Sequence, residues 1–138
     1  MKWFKKVLIE NYANFSGRAR RQEYWMYALF WSIIVISMSI LAEYTEKYLG
    51  FTWGFTFFII FSIATLIPWL AVNVRRLHDT GKSGGYFFVN FIPLIGRIWY
   101  LILVCTDGES GPNQYGPDPK KPNINDEIDD IGKPLLDE

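Results

Sequence analysis

Residues 71–85 read AVNVRRLHDTGKSGG and bring Arg75, Arg76, His78, Asp79 and Lys82 together between two strongly apolar runs. A second basic group, Arg18, Arg20 and Arg21, lies in FSGRARRQEYW at 15–25. Clustered guanidinium and ammonium groups beside apolar segments attract anionic headgroups, at about 1 kcal/mol per basic residue. They also act as plain signals of the side on which a segment is retained. His78-Asp79 is the pair with acid–base potential, because histidine titrates near neutral pH. Adjacent side chains diverge, however, and no third polar group completes a catalytic set. Asp79 is better suited to pair with Arg75 or Arg76, or to cap the turn at Thr80-Gly81.

Two short motifs in the same stretch carry no chemistry. Asp79-Thr80-Gly81 spells the aspartic-protease triplet but has no β context and no second copy. Gly81-Lys82-Ser83 resembles the end of a phosphate-binding loop, yet the required first glycine falls at position 76, which is arginine. Cys105 is the single cysteine, so neither an internal disulfide nor a cysteine metal site is expected. No cofactor, metal, nucleotide or nucleic acid is implied, and the chain is not expected to be an enzyme.

The elements that position these residues are apolar. The 138 residues are 50% hydrophobic and 18% aromatic, rich for a soluble domain of this size. The net charge of zero conceals segregation: residues 1–106 carry 11 Lys/Arg against 5 Asp/Glu, and 107–138 carry 3 against 9. That asymmetry fits a basic membrane-embedded body with an acidic tail. The first 20 residues lack a long apolar core, so a cleavable leader is not expected.

Residues 2–15 pattern as an amphipathic helix, with Trp3, Phe4, Val7, Leu8, Tyr12 and Phe15 opposite Lys2, Lys5 and Lys6. Such a helix beside a span lies in the headgroup plane or packs on the body. Residues 24–42 are free of charge, and at 1.5 Å each they cover about 28 Å, close to the hydrocarbon thickness. Tyr24, Trp25 and Tyr27 form an aromatic belt at one end, and Tyr44 and Tyr48 mark the other. A second span is expected over 53–73, with Pro68 kinking it or fixing its exit. A third apolar run at 85–105 is interrupted by Pro93, Gly96 and Arg97 in FIPLIGR. It reads as a kinked span or a re-entrant hairpin, since broken backbone at membrane depth must be covered by protein or water. Arg97 would form an intramembrane polar site, paired with Glu43 or Glu46 or snorkelling outward.

The fold expectation is therefore all-α. An interfacial N-terminal helix and three transmembrane helices make a membrane domain over 1–120, followed by a disordered acidic tail over 121–138. Lys and Arg counting puts the N-terminus and the 75–85 loop in the cytoplasm, and with a third span the C-terminus is periplasmic. The stretch 106–122 is broken by proline and glycine, and its GPNQYGPDP block is expected to pack Tyr115 on the membrane body.

With those segments laid out, the chain resembles a family of bacterial inner-membrane proteins typified by YhaH, the domain of unknown function 805. The resemblance rests on FSGRARRQEYW at 15–25, AVNVRRLHDTGKSGG at 71–85 leading into FIPLIG at 91–96, and GPNQYGPDP at 111–119. It covers about residues 10–120. Arg97 does not match the family pattern. The resemblance implies a small multi-span inner-membrane protein and assigns no catalytic residue.

The functional expectation is a membrane-embedded binding or scaffold module. Its cytoplasmic basic face, built from Arg18, Arg20, Arg21, Arg75, Arg76, His78, Asp79 and Lys82, would contact anionic phospholipid or a membrane-protein partner, including a second copy. The alternatives are a transporter or channel subunit with Arg97 on a polar path, and an interfacial lipid-modifying enzyme using His78 and Asp79.

Overall fold

The computed structural model describes residues 2–50 and 53–121. Among them the regular elements are helical. Helix α1 (Lys2–Lys5) runs into a π-helical turn at Lys6–Glu10, α2 spans Arg21–Leu49, and α3 spans Trp53–Asp79. A 3-10 helix occupies Gly84–Phe91 and α4 spans Ile95–Cys105.

Helices α2 and α3 contain the two expected spans and extend beyond them. At 29 and 27 residues they reach about 40 Å at 1.5 Å per residue, more than the hydrocarbon core requires. Both meet the length and hydropathy of a membrane span, and little of either apolar stretch is buried within the protein. They pair antiparallel: Ala42 lies against Gly54, the Trp31 indole donates to Thr65 Oγ1 (3.1 Å), and Glu23 meets Arg75.

Pro68 sits inside α3 without ending it. Proline has no N–H, so the carbonyl four residues back, that of Ala64, loses its helical donor. The Tyr12 hydroxyl donates to that carbonyl. The N-terminal segment thereby supplies from outside the hydrogen bond that α3 cannot make. This segment differs from the expected helix over 2–15: helix ends at Glu10, and Tyr12 lies in the turn that follows. Its apolar side packs on the body, with Val7 buried against Ala19, Tyr27 and Val72, and Phe4 stacked on Tyr27.

The stretch around Arg75, expected as a loop, is the last two turns of α3. Helix continues to Asp79 and closes with Gly81 at φ +71°. Lys82 N–H donates to the Leu77 carbonyl (3.0 Å) and Gly81 N–H to that of His78 (3.1 Å). This paired pattern is the Schellman termination, which favours glycine because only it adopts the left-handed conformation without strain.

The third apolar run does not form a kinked span. The 3-10 helix leaves the end of α3, and the chain reverses at Ile92-Pro93-Leu94. Helix α4 then returns to Arg76, whose guanidinium contacts the carbonyls of Val104 and Thr106. The reversal is a γ-turn: Leu94 has φ 65° and ψ −62°, and Ile95 N–H donates to the Pro93 carbonyl at 2.8 Å. This is the rare positive-φ form. Gly96 lets the two arms meet, since a Cβ there would stand 2.0 Å from the Val89 carbonyl oxygen. Helix α4 has 11 residues, about 16 Å, half of what a span needs. The run is a hairpin that enters and leaves at one end of the α2–α3 pair.

Residues 106–121 consequently lie at the same end as residues 16–21, not at the opposite end as a third span required. Asp107 approaches Arg21, and Arg20 Nε donates to the Pro119 carbonyl. The acidic tail beyond Lys121 lies outside the described residues.

Candidate functional site

The end of the helix pair where all these segments converge forms a cap built on buried charge. Glu23, in the first turn of α2, accepts from Arg75 through Oε1 at 2.7 Å and meets the Lys6 ammonium through Oε2 at 3.0 Å. Asp79, in the last turn of α3, is held on both carboxylate oxygens: Arg18 Nε lies 3.0 Å from Oδ1, and Arg76 bonds Oδ2. Arg18, Glu23, Arg75, Arg76 and Asp79 are all buried.

Four cations, Lys6, Arg18, Arg75 and Arg76, face two carboxylates here. The surplus is met by main-chain oxygens. Arg76 Nε donates to the Val104 carbonyl (3.1 Å) and Nη2 to that of Thr106, both at the C-terminal end of α4. Arg18 Nη1 donates to the Gly111 carbonyl (2.6 Å) and Nη2 to that of Glu109. Helix C-termini carry unsatisfied carbonyls and the negative pole of the helix dipole, so guanidinium groups satisfy both needs. Around this centre, Ala19 N–H donates to the Arg75 carbonyl (2.9 Å) and Glu109 N–H to that of Asp79 (2.8 Å). The Tyr100 hydroxyl donates to Asn73. Arg75 Nε and Nη2 and the Tyr27 hydroxyl are buried with no hydrogen-bond partner among the described residues.

The expected basic face is thus divided by the fold. Arg18, Arg75 and Arg76 point inward and are held by carboxylates and main-chain carbonyls, which corrects the expectation that they line the surface. Asp79 pairs with Arg76, one of its two anticipated partners, and also with Arg18. His78 stacks on Tyr115 with ring centroids 3.8 Å apart, and its Nδ1 lies 3.2 Å from the Gly17 carbonyl. With both Asp79 oxygens occupied by arginines, His78 and Asp79 do not form an acid–base pair. Lys82 is exposed, 5.8 Å from the centroid of Tyr86. Arg97 is exposed in the first turn of α4, beside a hollow shared with Asn90 and Leu94. Glu43 and Glu46 are at the far end of α2, close to Phe55 and Phe58, and make no ion pair with Arg97.

Arg20 and Arg21 take the other course. With Gln22, Trp25, Met26, Asp107 and Lys120 they line an open groove of about 600 Å³ at the start of α2. Asp107, itself exposed, is 3.7 Å from Arg21 and 3.5 Å from Lys120. Asp118 ties the tail in place by accepting from the backbone N–H groups of Lys120 (2.8 Å) and Gly111 (3.1 Å). Those bonds, led by that from Lys120, hold its carboxyl below its ordinary value.

Sequence reasoning did not single out Glu23, Tyr12 or Asp118. Glu23 alone carried a signal, as the one acid in a basic cluster at the head of a span. Among the described residues, no group of three or more His, Cys, Asp and Glu side chains is arranged to hold a metal.

Residues 12–117 match the model of a family described as protein of unknown function (DUF805). The chain is 42% identical over 120 residues to the inner membrane protein YhaI of Escherichia coli strain K12, covering 87% of this chain and 97% of that one. It is 41% identical over 123 residues to the inner membrane protein YhaH of the same strain, covering 87% and 98%. A more distant relative there is the uncharacterized protein YiiR, 25% identical over 130 residues, covering 76% and 85%. No solved structure matches the chain.

Proposed function

Because this chain belongs to the DUF805 family, with inner membrane proteins among its relatives, we propose that it is a bilayer-embedded binding module whose working surface is the cap. In this reading α2 and α3 cross the membrane, the 84–105 hairpin dips into one leaflet, and the cap faces the cytoplasm. The cap end carries Arg18, Arg20, Arg21, Arg75, Arg76 and Lys82, whereas the connection at the other end carries Lys47. That asymmetry supports a cytoplasmic cap. The described part of the tail then lies in the cytoplasm too.

The observation that carries the reading is the division of the basic residues. The buried set is consumed in building the cap, which leaves Arg21, Lys82, Lys120 and Lys121 exposed around its edge. Exposed cations beside aromatic side chains suit the anionic surface of the inner leaflet. A catalytic role for His78 and Asp79 has no support, since both are held by structural partners.

Two measurements test this. Reporter fusions at each terminus should both be cytoplasmic, and an active periplasmic reporter at the C-terminus would overturn the arrangement. Native mass spectrometry of protein taken from mixed-lipid nanodiscs should find phosphatidylglycerol enriched over phosphatidylcholine. Equal retention of the two lipids would remove the functional reading.

A further inference from the structure

We infer that the groove at the start of α2 is a binding site for a single anionic glycerophospholipid, with its phosphate among Arg20, Arg21 and Lys120 and an acyl chain along Trp25, Leu29 and Ile33. The inference deepens the proposed function and rests on it.

Charge is the first argument. Three cations line the groove against one carboxylate, Asp107. Asp107 is shared between Arg21 and Lys120 at 3.7 and 3.5 Å, with all three side chains at least half exposed. Such long, solvated contacts are weak, so a phosphate competes for the same cations at little loss. The contrast with the interior is direct: Arg75 and Arg76 reach their carboxylates within 2.7 Å and are buried. The start of α2 adds the positive pole of a long helix, and its N-cap residue Arg20 makes no side-chain cap.

The second argument is the shape of the lining. Trp25 and Met26 are the apolar residues of the groove's lining. Trp25, Leu29, Ile33, Ile36 and Ile40 follow at helical spacing, and all are exposed. One α2 face therefore runs unbroken from the charged groove toward the middle of the helix. A small polar anion would leave this apolar face unused, whereas a phospholipid presents charge and hydrocarbon in the same order. The groove also sits where a headgroup would, level with the aromatic belt.

The closing experiment counts lipids on the full chain by native mass spectrometry after extraction from phosphatidylcholine nanodiscs containing a minor fraction of phosphatidylglycerol. Wild type should retain one phosphatidylglycerol. Arg21→Gln/Lys120→Gln should weaken its retention about 30-fold, from ~1 kcal/mol for each cation lost. Lys5→Gln/Lys47→Gln, which removes two exposed charges outside the groove and outside the exposed cations of the cap edge, should retain it. Met26→Trp, which fills the groove without changing charge, should lose it as well. Equal losses in the two charge variants, with Met26→Trp unaffected, would overturn the groove and leave the functional reading standing. Absence of any phosphatidylglycerol preference in wild type would overturn both. Displacement of the lipid by glycerol 3-phosphate at equal concentration would show that the groove recognises phosphate without the chain.

Discussion

The two ends of the α2–α3 pair are made of similar residue types and have opposite fates. At the cap end, Lys6, Arg18, Glu23, Arg75, Arg76 and Asp79 interlock, with Arg75 meeting Glu23 across 52 positions and Arg18 meeting Asp79 across 61. At the far end, Glu43, Glu46 and Tyr44 are exposed, and Lys47 lies over the ring of its neighbour Tyr48, 5.4 Å from the centroid. One end is a tertiary structure and the other is a connection. Charge near a membrane surface is thus not one kind of feature. Where main-chain carbonyls and carboxylates converge on it, it organises the fold, and where they do not, it stays available to solvent or lipid.

Breaking the cap tests this contrast most severely. Arg76→Gln leaves Asp79 short of a partner and uncaps α4, so the loss expected in detergent unfolding is about 3–5 kcal/mol, as for one member of a buried ion pair. Glu43→Gln or Lys47→Gln should stay within about 0.5 kcal/mol, as surface changes do. Equal destabilisation at both ends would erase the distinction.

The proline site offers a finer comparison. Tyr12→Phe strands the Ala64 carbonyl and should destabilise by about 1–3 kcal/mol. Pro68→Ala restores a helical donor to that carbonyl, so adding it to Tyr12→Phe should recover much of the loss. Additivity of the two changes in a double-mutant cycle would show that the hydroxyl contributes nothing at that oxygen.

Within the cap itself, burial does not guarantee importance. The Tyr27 hydroxyl has no hydrogen-bond partner among the described residues, so Tyr27→Phe should be neutral or slightly stabilising in the same assay. The smallest effect is expected at Asp118. Its carboxyl lies below its ordinary value of 3.8 in the folded chain. Its contribution is therefore present above that value and lost as pH falls through the folded value. Wild type should release the 107–121 segment to proteolysis more readily as pH drops below about 4, and Asp118→Asn should remove that dependence.

Much of the frame was legible in the sequence. Uncharged runs, aromatic belts and hydropathy identified α2 and α3, and the interruption at Pro93 and Gly96 raised the hairpin as one of two forms. Residues 75–79 read as loop because their charges look solvated when only neighbours in sequence are considered. What buries Arg75 is Glu23, and what buries Arg18 is Asp79, pairings that no local period encodes. The hairpin form was likewise decided by distant partners: Arg76 draws the end of α4 back to α3, and Tyr100 reaches Asn73. Tyr12 read as one more apolar residue on a helix face. Its task follows only from the donor missing at Pro68, in a helix not yet made when Tyr12 leaves the ribosome.

That last point fixes an order of events. Tyr12 waits for Ala64, Arg18 for Asp79 and Gly111, Ala19 for Arg75, and Arg20 for Pro119. Residues 12–20 are therefore locked only by segments synthesised after them, and a chain halted before residue 119 cannot close its cap.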